Sequence, residues 1–313
     1  MHPLLILSYG APERQEDVRP FLHNLFAGKN VPHQRIESAV QKYDAFAALS
    51  GHYSPLNEEC RKLIEGLRQL DPHRPIYWAN LFWHPLLADT VNDMKRDGVE
   101  HAVCFATSAF DSPSGNTRYA EALAQVSMNH PPLLLEKLPL PFEHPLFIES
   151  QADKLREALT KMYAVGNTSE KNKRQLDVAT RPYILFTAHS IPKADAIQSH
   201  YVEQLQSACR LVIKHVADGM SWELVYQSRS GVSDHWLGPD IKERISQLAE
   251  QNCRRLVVSP IGFFCENMET QYDLDIEAGR CCVESGIEYH RAFAVGAMPK
   301  CCRMILDLAD STN

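Results

Sequence analysis

The chain has 313 residues, 44% of them hydrophobic and 23% charged, a composition that suits a globular protein long enough for two lobes and a sizeable core. Its formal net charge of −7 excludes bulk attraction to nucleic acid or to an anionic lipid surface, so an anionic ligand has to be held by a few local cations. No run approaches the roughly 18 apolar residues of a membrane span, and the opening MHPLLILSYG lacks the basic flank and small-residue cleavage site of a secretory signal, so a cytoplasmic protein is expected.

Short apolar runs alternate with longer amphipathic ones along the whole chain, the pattern of βαβ units and parallel sheets. Strands are expected at LLILS (4–8), IYWANL (76–81), HAVCFAT (101–107) and LLLEKL (133–138). A second series follows at YILFTA (183–188), ELVYQS (223–228), RLVVSP (255–260) and EYHRAF (288–293). Helical periodicity fills the intervals, as in NEECRKLIEGLRQL, HPLLADTVNDMKRDG and PDIKERISQLAEQN. The two series share one rhythm, which points to an N-terminal lobe over 1–165 and a C-terminal lobe over 176–313. The polar, turn-rich GNTSEKNKRQ (166–175) reads as the linker, and the final CCRMILDLAD reads as a helix free to pack across either lobe.

Nine cysteines without a secretory signal argue against a disulfide framework. The adjacent pairs Cys281–Cys282 and Cys301–Cys302 lack the C-x₂-C spacing of zinc or iron–sulfur sites, so they read as small buried hydrophobes and no cluster is expected.

In open α/β sheets, ligands bind outside the carboxyl ends of the strands. That rule selects Tyr9 and Gly10, Thr107 to Ala109, His189 and Ser190, and Gly262 and Phe263. Directly after the last of these come Glu269, Asp273 and Glu277, spaced four apart on one stripe of a helix. Like charges at this spacing destabilise an isolated helix, so the stripe asks for a reason beyond solvation. A His and a Glu facing each other across a cleft make a mixed N/O site for a divalent ion such as Fe²⁺. The acids behind them can lead such an ion inward, and the crowding suggests a helix widened by a π-bulge. Two loops flank this region. YQSRSGVSDHWLGPDI (226–241) brings Arg229, Ser230 and Trp236 for a flat ligand, and SAFDSPSGNTRY (108–119) brings hydroxyls and Tyr119. Neither has a phosphate-binding glycine pattern, and no nucleophile elbow occurs.

These segments, with YSPLNEE, WHPLLADTV, FATSAF, FTAHSIP and PIGFFCENMETQYDLDIEA in order along nearly the whole chain, resemble the ferrochelatase family. The Tyr in LSYGAP makes the chain most similar to the bacterial coproporphyrin III branch. The resemblance implies two Rossmann-like lobes, each a mostly parallel four-stranded sheet flanked by helices, as in class II chelatases. It implies a lyase of haem biosynthesis that inserts Fe²⁺ into coproporphyrin III with release of two protons, iron being the substrate and no organic cofactor being needed. Carried over by position, His189 and Glu269 are the metal-insertion pair, and Asp273 and Glu277 the metal path. Tyr9 lies against the macrocycle, and Tyr43, Ser54 and Tyr119 join it in holding the porphyrin, with Lys29 and Lys42 as the cations for its propionates. A monomer whose partners are porphyrin and ferrous iron is implied, with no nucleic acid. The chain departs from the usual pattern at Glu266–Asn267, where many relatives carry Asp-His, and at Phe26 and Ala27, where many carry arginines. Three alternatives remain: a protoporphyrin IX ferrochelatase, a cobalt or nickel chelatase, which generally pairs two histidines, and a porphyrin or haem carrier without chemistry.

Overall fold

The computed structural model describes residues 2–165, 181–216, 219–229 and 235–312. The expected linker 166–175, and Ser230, lie outside them. Two all-parallel sheets of four strands form the centre. The first holds β1 (Leu4–Ser8), β2 (Ile76–Asn80), β3 (His101–Ala106) and β4 (Leu134–Lys137) in the order β2-β1-β3-β4. The second repeats that order as β6-β5-β7-β8, with β5 (Tyr183–His189), β6 (Trp222–Gln227), β7 (Arg255–Ser259) and β8 (Glu288–Arg291). The doubly wound fold expected from the sequence is therefore present twice.

Parallel strands are covered on both faces, which is why they read as unbroken apolar runs. All five residues of β1 are buried. The helices instead bury one stripe. In α3 (Leu56–Leu70) the inward residues Cys60, Leu63, Ile64 and Leu67 follow the i, i+3, i+4, i+7 spacing. The other helices of the first half are α1 (Gln15–Phe26), α2 (His33–Ser50), α4 (Leu87–Arg96) and α5 (Arg118–Asn129). Those that follow are α6 (Pro145–Val165), α7 (Lys193–Gln198), α8 (Tyr201–Val216), α9 (Ile241–Glu250), α10 (Met268–Thr270), α11 (Gly279–Glu284) and α12 (Pro299–Asp310).

Packing changes hands before residue 165. Helix α6, placed by the sequence in the first lobe, lies on the second sheet against α8, β7 and β8. Helix α12 returns the exchange by packing on both α6 and α3. Leu4 and Ile6 of the first sheet, Ile184 and Phe186 of the second, and Met304 and Ile305 of α12 accordingly share one core. Among the cysteines, Cys301 and Cys302 belong to that core, and Cys282 packs beneath the second sheet.

Strand order 2-1-3 reverses direction between the first and third strands of each sheet, the switch point where a doubly wound fold leaves a crevice. Gly10 closes the turn after β1 with φ +78°, and a Cβ there would come within 2.8 Å of Asn80 Cβ. Glycine alone lets the chain turn so tightly at the crevice.

Candidate active site

A cleft of about 390 Å³ opens at the two switch points. Tyr9, Thr107 and Ser108 line it from the first sheet, and His189, Gly262 and Phe263 from the second. Of the residues expected to bind a ligand, Tyr9, Lys29, Tyr43, Ser54, Tyr119, His189 and Glu269 all lie on this cleft. A wider groove of about 920 Å³ runs elsewhere, between α3 and α12. It contains no histidine, and Arg61 pairs with Glu58 and Lys62 with Glu59.

His189 is the last residue of β5, and the fold fixes both its backbone and its ring. The Tyr201 hydroxyl donates to the His189 carbonyl at 3.1 Å, and the next residue, Ser190, donates its N–H to Gln227 O at 2.8 Å. The ring Nδ1 lies 2.6 Å from the Ser190 carbonyl, an acceptor only, so Nδ1 carries the hydrogen and Nε2 faces the cleft. Nε2 stands 3.6 Å from Glu269 Oε2, and both side chains remain about two-fifths exposed within the cleft, at 37% and 40%. Burial works against charge on His189, but the Glu269 carboxylate and the Ser190 carbonyl outweigh it and raise the pKa above the usual 6.5. Burial likewise pushes Glu269 up, and His189 with Lys42 overcomes this to hold it below the usual carboxylate range. Each partner thus favours the charged form of the other.

Glu269 is aimed by a short, heavily braced helix start. Asn267 Oδ1 accepts from Thr270 N at 2.9 Å, and Thr270 Oγ1 accepts from Asn267 N at 3.0 Å, a reciprocal cap. Beyond α10 the helix widens into a π segment, Gln271–Ala278, as the crowded acids suggested. The Gly279 N–H reaches back to the Leu274 carbonyl, five residues earlier, and Tyr289 donates its hydroxyl to the same oxygen at 2.9 Å. Asp275 leaves the row on the opposite side and forms a two-pronged pair with Arg291 at 2.7 and 2.8 Å.

The acid row contains more than the sequence disclosed. Asp273 is 4% exposed and accepts from Lys42 Nζ at 2.7 Å, from the Ser228 hydroxyl, and from Gln227 Nε2 at 3.4 Å. Burial and the nearby Glu269 raise its pKa despite Lys42 and Ser228. Glu277 accepts from Lys242 Nζ at 2.9 Å. Lys42, expected to hold a propionate, therefore does not line the cleft; its ammonium is engaged by Asp273 and sits 4.6 Å from the Tyr272 ring centroid. Arg118 is the cleft cation the sequence reading passed over. Its guanidinium lies 5.5 Å from the Phe82 ring centroid and beside the Tyr9 hydroxyl, which donates to the Ser114 carbonyl. Neither Arg118 nor Lys29 pairs with a carboxylate among the described residues. The available signal was position, since Arg118 directly precedes Tyr119 in the loop already marked as facing the cleft.

The remaining wall is aromatic. Tyr9 packs against Phe82 and Tyr119 at ring-centroid distances of 5.0 and 5.5 Å, and Phe26, Phe110 and Phe263 line the same space. Such a wall accepts a flat, apolar face, with cations at the rim for charged substituents.

Comparison with known proteins places the chain in a family. The family model described as Ferrochelatase matches residues 2–313. A ferrochelatase of Rhodopirellula baltica is 39% identical over 97% of this chain and 84% of its own length. A coproporphyrin III ferrochelatase of Frankia alni is 39% identical over 99% of this chain and 79% of its own length. One of Nocardia farcinica is 38% identical over 97% and 86%. Among solved structures, SirB from Bacillus subtilis with Fe³⁺ has a TM-score of 0.58 at 9% identity, covering 100% of this chain and 96% of that one. The sirohydrochlorin chelatase SirB in complex with cobalt, from subspecies spizizenii, scores 0.54 at 12% identity and covers 99% and 94%. At that identity the SirB likeness extends to the fold alone. The full-length family match and the relatives above 35% identity make this chain a member of the ferrochelatase family.

Proposed function

We propose that the protein inserts Fe²⁺ into coproporphyrin III, yielding the iron porphyrin and two protons, as a soluble cytoplasmic step of haem biosynthesis. His189 and Glu269 form the insertion pair, and Asp273 and Glu277 the acid row behind it. Tyr9, Tyr43, Ser54, Tyr119, Lys29 and Arg118 hold the macrocycle. The observation that carries this reading is an imidazole Nε2 opposed to a carboxylate at 3.6 Å inside an aromatic cleft whose lining includes Lys29 and Arg118. The two pyrrole N–H protons have to leave as the metal enters, and the pair offers a base and an oxygen ligand at the point of entry. Grip on the propionates supplies the binding energy that bends the ring and exposes its nitrogens.

Anaerobic assays with coproporphyrin III and protoporphyrin IX in parallel test the proposal, with faster conversion of coproporphyrin III expected. No turnover with either, combined with tight haem binding, would replace it with a carrier. Arg118→Ala is expected to raise the KM for coproporphyrin III roughly tenfold, since a charge-assisted hydrogen bond contributes about 1.5–3 kcal/mol. Protoporphyrin IX, with two propionates instead of four, should lose less, so the ratio of kcat/KM values is the readout.

The pH profile has a defined sign. Because Glu269 raises the pKa of His189, the imidazole loses its blocking proton only above pH 6.5, and kcat/KM should climb with an apparent pKa above that value. In Glu269→Gln the charge support is gone while burial remains, so the midpoint should move down. A midpoint that does not move would remove Glu269 as the controlling neighbour.

A further inference from the structure

The acid row is already occupied by the protein's own cations. Lys42 reaches Asp273 from α2, and Lys242 reaches Glu277 from the start of α9, with N···O distances of 2.7 and 2.9 Å. Both lysines line a second cavity, of about 370 Å³, together with Gln227, Asp273 and Glu277. Glu269 belongs to the porphyrin cleft and the other two acids to this second cavity, so the row connects the two spaces. Gln227 adds an independent sign of an unmet ligand. It is 1% exposed, its Nε2 points at the Glu269 backbone carbonyl and at Asp273 Oδ2, and its Oε1 has no partner among the described residues. A buried acceptor beside the Asp273 carboxylate calls for a donor or a cation.

We propose that Lys42 and Lys242 are resident counter-cations of the iron route, which hold Asp273 and Glu277 in place while the row is empty and yield them to an incoming divalent cation. The inference rests on the proposed role of this row in leading iron to the porphyrin. Two ammonium groups carry the same charge as one Fe²⁺, so the exchange leaves the net charge of the half-buried cluster unchanged. Lysine suits the task because its compact charge rides on a flexible four-carbon stem, whereas arginine would grip each carboxylate with a rigid fork. The lysines thereby compete with metal and set the iron concentration at which the inner His189–Glu269 pair fills. Lys42 is then a positioning residue for metal entry, and not an anchor for the porphyrin.

The test is a Mn²⁺ titration followed by electron paramagnetic resonance, without porphyrin and at low ionic strength, on the full chain and on Lys42→Met and Lys242→Met. Each substitution removes a competitor, so Mn²⁺ should bind roughly fivefold tighter or more, and the KM for Fe²⁺ should fall while that for coproporphyrin III stays unchanged. The Lys242–Glu277 pair is partly exposed, so Lys242→Met keeps the fold even where loss of Lys42 beside buried Asp273 does not. Unchanged or weaker Mn²⁺ binding by Lys242→Met would overturn the proposal and leave both pairs as structural bridges. A raised KM for coproporphyrin III in Lys42→Met with unchanged Mn²⁺ affinity would overturn it in favour of propionate binding. Because Mn²⁺ binding needs no turnover, absence of ferrochelatase activity in the unaltered chain would reject the function separately.

Discussion

Replacing His189 with alanine is expected to lower anaerobic Fe²⁺ insertion by two to four orders of magnitude, the usual contribution of a positioned acid–base group. Porphyrin binding, read by quenching of porphyrin fluorescence, should change by less than about threefold. The split follows from geometry. His189 sits at the end of β5 with Nδ1 engaged by the Ser190 carbonyl and Nε2 directed at Glu269, so the lost atom is the one proposed to react. On the proposed reading, grip on the macrocycle comes from other residues that line the cleft, Tyr9, Tyr119, Lys29 and Arg118. No other histidine lines the cleft among the described residues, so no second imidazole can substitute. A variant that keeps more than about a tenth of the activity would exclude His189 as base or ligand. A variant that loses porphyrin binding in proportion to activity would make it a binding residue instead.

Much of this arrangement was legible before any coordinates because it rests on local signals. An apolar run such as LLILS announces a strand buried on both faces, and repetition of the same rhythm announces a second sheet of like order. The strand-end rule then selects Tyr9, His189 and Gly262 without reference to their neighbours. The three acids of the row were conspicuous because their spacing is unfavourable in a plain helix, and the π segment is the local answer.

What stayed hidden depends on contacts between distant parts of the chain. Lys42 and Asp273 are 231 positions apart, and no periodicity in either segment announces their ion pair. Arg118 is inconspicuous in a polar loop until Phe82 and Tyr9 are seen beside it. Helix α6 follows the first sheet in sequence, yet its apolar face fits the second, and amphipathic spacing reports that a face is buried without saying against what. The exchange of α6 and α12 between the halves joins the two sheets through one core, so the placing of His189 opposite Glu269 rests on packing far from the cleft.

That dependence gives the largest expected loss of stability. Arg291, at the end of β8, is nearly fully buried and binds Glu266 at 2.9 and 3.2 Å while also binding Asp275. Glu266 is buried as well, and it accepts from Ala294 N at 2.6 Å and from the Thr270 hydroxyl at 3.0 Å. Arg291→Ala leaves the Glu266 carboxylate uncompensated in the interior and should cost about 3–5 kcal/mol. Asp275 is partly exposed and can turn to water, so the penalty belongs mainly to Glu266. The double replacement Glu266→Met with Arg291→Met removes both buried charges and should recover most of the loss, because a buried pair often contributes little beyond an apolar pair of similar volume. Urea titrations of Arg291→Ala and of the double variant measure this, and a cost below about 1 kcal/mol for Arg291→Ala would refute it. Activity should not recover with stability. Without Glu266 the Asn267–Thr270 cap loses its brace, and the cap is what points Glu269 at His189. The double variant is therefore expected to bind coproporphyrin III normally while kcat stays well below that of the unaltered chain, because the residues that stabilise this helix start also set the aim of the carboxylate.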